Sequence, residues 1–262
     1  MDMGKSERVA WEAAKAVARQ FLPNWANVVS TLASEVMGEP LSGDLSADTG
    51  TAKQFWQGLR ARQSGLYAVI GRPGMGKTAL CVGICTALNR PTFVIGIKQK
   101  MLDRFTFPAI EMPFEDEGHV LESLKSLREM ERPRVFLIDD AGLFFNNQSY
   151  RNVSSLFLQE MVGVRRHHNI TIVVNGQQSS TIHKHLLDPD ILFLKPPSLL
   201  FADNEREYIR GLERHALNRF AKIPSKDWVK WVYVVSDLPP FRGMMQYNCP
   251  PGWDEYVSKN KA

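Results

Sequence analysis

The stretch Leu66-Tyr67-Ala68-Val69-Ile70-Gly71-Arg72-Pro73-Gly74-Met75-Gly76-Lys77-Thr78-Ala79-Leu80-Cys81-Val82-Gly83-Ile84-Cys85 passes from one apolar run, through a glycine-rich turn, into a second. The turn reads G-x-x-x-x-G-K-T and sits between an expected strand and an expected helix. That is the setting in which such a loop cradles phosphates. Its glycines let successive backbone N–H groups turn inward onto phosphate oxygens. The helix N-terminus behind them adds roughly half a positive charge. Gly71, Arg72, Pro73, Gly74, Met75, Gly76, Lys77, Thr78 and Ala79 are therefore the expected cradle of a nucleoside triphosphate. Lys77 is placed for the β- and γ-phosphates, and Thr78 for Mg²⁺.

A second run, Val135-Phe136-Leu137-Ile138-Asp139-Asp140, is an apolar strand ending in two carboxylates. Asp139 is the expected Mg²⁺ ligand beside Thr78. Asp140 is the expected base that orients and deprotonates an attacking water, since a base must lie within hydrogen-bond reach of its proton. Aspartate is shorter than the glutamate that many ATPases carry there. A third run, Val173-Val174-Asn175-Gly176-Gln177-Gln178, ends in amides that both donate and accept. Gln177 is the expected sensor of the γ-phosphate.

Around these motifs, apolar strands alternate with helical stretches. Strands are expected at 66–70, 92–97, 134–139, 170–175 and 191–195, and helices at 77–88, 118–130, 150–165 and 204–220. Unbroken hydrophobic strands between helices indicate an α/β fold with a mostly parallel, doubly covered sheet. Trp228 to Val235 reads as a further edge strand. Residues 6–38 carry helical periodicity interrupted at Pro23, and 38–51 are turn-rich. The expected organisation is a helical N-terminal appendage and linker over 1–54, a P-loop NTPase core over 55–236, and an extended C-terminal tail over 237–262. A full strand at 92–97 separates the phosphate loop from the acidic strand. That spacing resembles the additional-strand ATPases. No Asn-Lys-x-Asp guanine motif occurs, which favours ATP over GTP.

The chain has 262 residues, of which 44% are hydrophobic and 23% charged, with a net charge of +4. These are globular values, and the charge is compatible with a nucleic-acid partner without requiring one. No apolar run is long enough to span a bilayer and no signal peptide stands at the start, so a cytoplasmic place is expected. Cys81, Cys85 and Cys249 make no even disulfide framework and no C-x-x-C metal pair. Cys81 and Cys85 read as small buried residues of one helix.

The string Arg166-His167-His168-Asn169-Ile170-Thr171-Ile172-Val173-Val174-Asn175-Gly176-Gln177-Gln178-Ser179-Ser180 resembles the FtsK–HerA superfamily, in particular its small viral and plasmid-borne members. Ile191 to Leu200, followed by Asn204-Glu205-Arg206, is similar to that family's closing core strand and turn. The resemblance covers about residues 65–215. Gly176 stands where the family has Thr or Ser, and Asp140 where it usually has Glu.

The resemblance implies a homo-oligomeric ring, a pentamer or hexamer, that hydrolyses ATP between subunits and translocates double-stranded DNA. Viral genome packaging, with a capsid or portal component as partner, is its most specific form. The place would then be the host cytoplasm or the virion. An arginine reaching the neighbour's γ-phosphate is implied at Arg166, with Arg165 and Arg151 as fallbacks. Lys98, Lys100, Arg104, His183, Lys184 and His185 are candidate pore cations, and Phe105 and Phe107 candidate stacking platforms for bases. Two other readings stay open: an ATP-switched assembly or secretion adaptor resembling the zonula-occludens-toxin-like phage proteins, and a loader ATPase acting on a protein partner.

Overall fold

The computed structural model describes residues 50–112, 133–144, 160–180, 182, 186, 188–197 and 206–260. All of them fall in one unit of the chain, Ser46–Ala262. The expected N-terminal helices, the 118–130 helix, most of the 150–165 helix, Arg151 and the 183–185 cations lie outside the described residues.

Eight strands form one sheet in the order β3-β2-β4-β5-β1-β6-β7-β8. They are β1 (Gly65–Ile70), β2 (Thr92–Ile95), β3 (Ala109–Glu111), β4 (Arg134–Ile138), β5 (Ile170–Gly176), β6 (Ile191–Leu194), β7 (Trp231–Asp237) and β8 (Pro240–Gln246). The first six pair in parallel, whereas β7 joins β6 antiparallel and β8 joins β7 as a hairpin. Strands β1, β4, β5 and β6 are buried along their whole length. Every second residue of a strand points to the opposite face, so both faces of the sheet are covered here. This is the expected P-loop NTPase arrangement. Strand β5 lies between β1, which feeds the phosphate loop, and β4, which carries the acidic pair. That inserted strand is the additional-strand topology.

Six α-helices are described: α1 (Ala52–Ala61), α2 (Lys77–Leu88), α3 (Gln99–Leu102), α4 (Ala141–Phe144), α5 (Glu207–Phe220) and α6 (Glu255–Asn260). Thr51 caps α1 by accepting the Gln54 N–H at 3.2 Å. Phe55 and Leu59 turn inward, and the Phe55 ring meets those of Phe193 at 6.1 Å and Phe241 at 5.2 Å. The expected boundary at residue 54 therefore falls inside a helix that packs on the core. Helix α2 buries Leu80, Cys81, Val82, Ile84 and Cys85, and neither cysteine forms a disulfide, in keeping with their reading as small apolar residues.

The chain after residue 225 differs from expectation. Ser225–Lys230 is a 3-10 helix, and the strand begins at Trp231. That strand is interior, because β8 lies outside it. Residues 237–262 are not an extended tail: they contain β8 and α6. Phe241, Gly243 and Met245 face inward while their neighbours are more exposed. This two-residue period outweighs the prolines, which sit at the turn and at the first position of an edge strand.

Candidate functional site

Strand register assembles the site. Ile70 of β1 pairs with Gly176 of β5 and Leu194 of β6. Ile138 of β4 pairs with Val174. The phosphate loop, the acidic pair and the tip of β5 therefore emerge together at the carboxyl ends of the parallel strands, where ligands bind in open α/β sheets.

The loop's glycines are needed at two points. Gly71 has φ 152°, and a Cβ there would lie 2.6 Å from the Lys195 Cβ. Gly76 has φ 75° and caps α2, its carbonyl accepting the Leu80 N–H at 3.0 Å. Neither position suits an L side chain. Lys77 folds over the loop and donates to the Arg72 carbonyl at 3.1 Å. Arg72 is held from below, its N–H donating to the Pro196 carbonyl at 3.1 Å and its guanidinium lying 5.3 Å from the Trp228 ring centre.

Thr78 donates its hydroxyl to Asp139 Oδ1 at 2.7 Å, and both residues are buried. A hydroxyl and a carboxylate oxygen in contact are the hard donors that Mg²⁺ prefers. That ion is commonly held by one or two protein groups plus phosphates and water. The described residues contain no cluster of three or more His, Cys, Asp or Glu that would form an all-protein metal cage. Thr78 and Asp139 thus fit the expected metal position.

Asn175, and not the expected Gln177, organises the acidic pair. It is 2% exposed. Its Nδ2 donates to Asp139 Oδ1, and its Oδ1 accepts the Asp140 backbone N–H at 2.8 Å. One amide thereby fixes the orientation of the expected metal-ligand carboxylate and of the residue carrying the expected base. Asp140 adopts φ 54°, a conformation tolerated best by Gly, Asn and Asp. Asn175 is visible in sequence only as one of three amides at a strand end. The β4–β5 register selects it.

Pro73, Gly74, Gly76, Lys77, Thr78, Ala79, Asp140, Asn175 and Gln177 line one cavity of about 590 Å³. That volume is within the ~300–1,000 Å³ usual for small-molecule sites. Gln177 is exposed at its rim. Arg166 is elsewhere: it precedes β5 at the strand's amino end, ~20 Å from its carboxyl tip at about 3.3 Å per residue. Its side chain is 74% exposed and lies 3.9 Å from Asp190. Arg165 is mostly buried, bonded to the Val162 carbonyl at 2.6 Å and 3.6 Å from Asp190.

Two groups missed in the sequence support the loop. Lys195 is fully buried. Its Nζ donates to the carbonyls of Trp231 at 2.6 Å and Val229 at 2.8 Å, and to Tyr247 Oη at 3.2 Å. Burial, and then the positive charge of Lys77, lower its pKa to about 7. Tyr247 Oη also lies 3.1 Å from the Gly76 carbonyl and 2.8 Å from that of Val229. The hairpin β7–β8 is thus fastened to the start of α2.

Phe105 and Phe107 are corrected as base platforms. Both are buried, their rings stack 5.7 Å apart, and Trp253 continues the stack 6.2 Å from Phe105. Arg104 is paired with Asp254 and lies over Tyr256. Lys98 and Lys100 remain exposed. No described helix is long and apolar enough to cross a membrane.

Residues 67–193 match the family model of the ATPase family associated with various cellular activities (AAA). This stretch forms a P-loop ATPase domain. The matched residues run from β1 into β6 and so include the phosphate loop, the acidic pair and Asn175.

Among curated proteins, no sequence matches the chain. Several solved structures are similar to the chain at low identity. One is the genome packaging NTPase B204 from Sulfolobus turreted icosahedral virus 2 in complex with ATP-gammaS. It is 11% identical over 72% of this chain and 98% of its own, with a TM-score of 0.47. Another is Thermomonospora curvata EccC (ATPases 2 and 3) in complex with a signal sequence peptide. It is 12% identical over 70% of this chain and 36% of its own, with a TM-score of 0.46. A third is the N-terminal domain of zonular occludens toxin from Neisseria meningitidis. It is 16% identical over 50% of this chain and 76% of its own, with a TM-score of 0.39.

Proposed function

We propose that this chain is an ATP-hydrolysing ring motor that translocates double-stranded DNA, most specifically a viral genome-packaging ATPase. The hydrolytic half of that reading rests on the Thr78–Asp139–Asn175–Asp140 arrangement beneath the phosphate loop. ATP lies with its phosphates on the loop N–H groups and Lys77. Thr78 and Asp139 would hold Mg²⁺, which would supply positive charge against the phosphoryl oxygens. Asp140 takes the proton of the attacking water, and Asn175 holds Asp140 and Asp139 in register. Gln177, exposed at the rim, is placed to contact the γ-phosphate end.

The ring half of the reading is supported by Arg166 and by the resemblance of residues 166–180 to the FtsK–HerA superfamily. An exposed arginine at the far end of β5 cannot serve its own pocket, but it can serve a neighbour's. Arg165, held by Asp190 and Val162, is the poorer candidate for that role. In this reading the chain before helix α1 is an appendage to the motor core, and the site of action is the host cytoplasm or the virion.

The test measures the ATPase rate with and without long duplex DNA, together with particle mass in a non-hydrolysable ATP analogue. The motor predicts DNA-stimulated turnover, a mass of five or six subunits, and DNA binding that weakens steeply with salt. A monomer whose hydrolysis ignores DNA would sink it. Stimulation by a protein partner in place of DNA would establish the loader reading.

A further inference from the structure

The phosphate loop and carboxylates account for only one end of the 590 Å³ cavity. Its other wall comes from the chain's C-terminal part: Val229, Lys230, Tyr247, Asn248, Cys249 and Trp253. Nothing in phosphate chemistry calls for a valine, two aromatic rings and an amide. A planar, partly apolar heterocycle with both donors and acceptors on its edge does call for them. We propose that this wall is the adenine subsite, so that residues 229–230 and 247–253 supply base recognition to a loop that binds phosphates alone. The proposal rests on the reading of the loop as an ATP site.

Three observations carry it. First, the wall is built into the loop rather than resting near it. Tyr247 Oη reaches the Gly76 carbonyl and the Val229 carbonyl, and accepts from buried Lys195. The distance between phosphate end and base end is therefore fixed before any ligand arrives, which lowers the ordering cost of binding. Second, Trp253 is seated on the Phe105–Phe107 ring stack while also lining the cavity. An aromatic ring already immobilised by packing offers a stacking surface at little entropic cost. Third, Asn248 is exposed beside it, and its side-chain amide presents one acceptor and two donors. The adenine edge carries an amino donor next to a ring-nitrogen acceptor, which one amide can match. Val229, 39% exposed, supplies apolar surface from the 3-10 helix.

Cys249 gives a readout on the unaltered protein. It is the exposed thiol among the three cysteines, the other two being buried in α2. Its rate of alkylation would be measured with Mg²⁺ plus either ATP or inorganic tripolyphosphate. ATP should slow the reaction at Cys249 several-fold, and tripolyphosphate should not. Equal protection by both, or protection by neither while ATP is bound, would overturn the proposal.

Direct binding of the same two ligands is then compared in Asn248→Ala, Trp253→Ala and Lys77→Ala. The two wall substitutions should each weaken ATP by about tenfold, the scale of a lost stacking ring for Trp253 and of lost hydrogen bonds for Asn248, and leave tripolyphosphate unchanged. Lys77→Ala should lose both ligands. Because Trp253 also packs on Phe105, Asn248→Ala and the thiol readout stand even if Trp253→Ala misfolds. Unchanged ATP affinity in Asn248→Ala together with unprotected Cys249 refutes the subsite while sparing the loop. Failure of the wild-type chain to bind either ligand refutes the loop reading itself.

Discussion

The two ends of the central sheet carry opposite chemistry. At the carboxyl ends of β1, β4 and β5 stand the phosphate loop, Asp139, Asp140 and Asn175. At the amino ends stand arginines: Arg62 before β1, Arg90 before β2, and Arg165 and Arg166 before β5. Arg62, Arg165 and Arg166 converge within 4 Å of a single carboxylate, Asp190, which also accepts the Leu66 N–H at 2.7 Å. Arg90 is spent on the backbone, donating to the carbonyls of Arg60, Arg62 and Gln63.

The carboxyl end is thus pre-arranged for a ligand, with Thr78, Asp139, Asn175 and the Asp140 backbone bonded to one another. At the amino end most cations are used internally, and Arg166 is left largely in solvent. One end can work alone, whereas the other has a reactive partner only if a second molecule provides it.

Four substitutions separate the ends, in descending order of effect. Lys77→Ala should bring nucleotide binding and turnover below detection by calorimetry and phosphate release. Retained tight binding would mean the loop is not where the phosphates sit.

Arg166→Ala should lower turnover by ~10³-fold or more while leaving ATP affinity unchanged, as expected of an arginine finger acting in trans. Asp140→Asn should cost turnover ~10²–10⁴-fold, the range of a lost general base. Mixing the two inactive variants should restore activity, because a pocket keeping Asp140 can then face a neighbour keeping Arg166. No recovery on mixing would return Arg166 to a surface role.

Asn175→Ala should retain binding and lose about 10–100-fold in turnover, the usual effect of removing a group that orients a metal ligand. An effect below twofold would leave Asp139 and Asp140 as self-sufficient.

The smallest effect concerns Lys195. Its folded pKa of about 7 lies below the ~10.4 of a free lysine. Between these values the unfolded chain holds a proton that the folded one has shed, so this group makes stability rise with pH across that window. Below about pH 7 both states are protonated and its contribution is flat. Urea unfolding from pH 7 to 9 should show this slope in the wild type and lose it in Lys195→Met. Binding of ATP brings phosphate charge beside Lys77 and Lys195 and should draw in a fraction of a proton near pH 8, readable by calorimetry in buffers of different ionisation enthalpy.

The phosphate end was legible because its constraints are local. A loop that must turn its N–H groups inward needs glycines at set positions, and an acidic pair after an apolar run marks a strand tip. Asn175 was not, because its role depends on β4 and β5 lying side by side with Ile138 level with Val174, a pairing between segments over thirty residues apart. Lys195 reads in sequence as the polar end of an apolar strand; only the fold brings the carbonyls of Val229 and Trp231 around it.

The proline-rich C-terminal part concealed a strand whose alternation of Phe241, Gly243 and Met245 was present but outweighed by turn signals. Phe105 and Phe107 show the converse. Two aromatics directly after basic residues look like a platform for bases, yet the same spacing serves a ring stack inside the core.

The bond between Tyr247 and Gly76 spans 171 positions of chain, and β1 is flanked by β5 and β6, which follow it by more than a hundred residues. Contacts of such long separation form slowly, since loop closure must precede any gain from them. During synthesis the phosphate loop is made early, but its supports at Asn175, Lys195 and Tyr247 leave the ribosome in turn, the tyrosine after nearly the whole core. Competence to hold nucleotide therefore arrives late and all together, and a chain stalled before β8 carries the motif without the site.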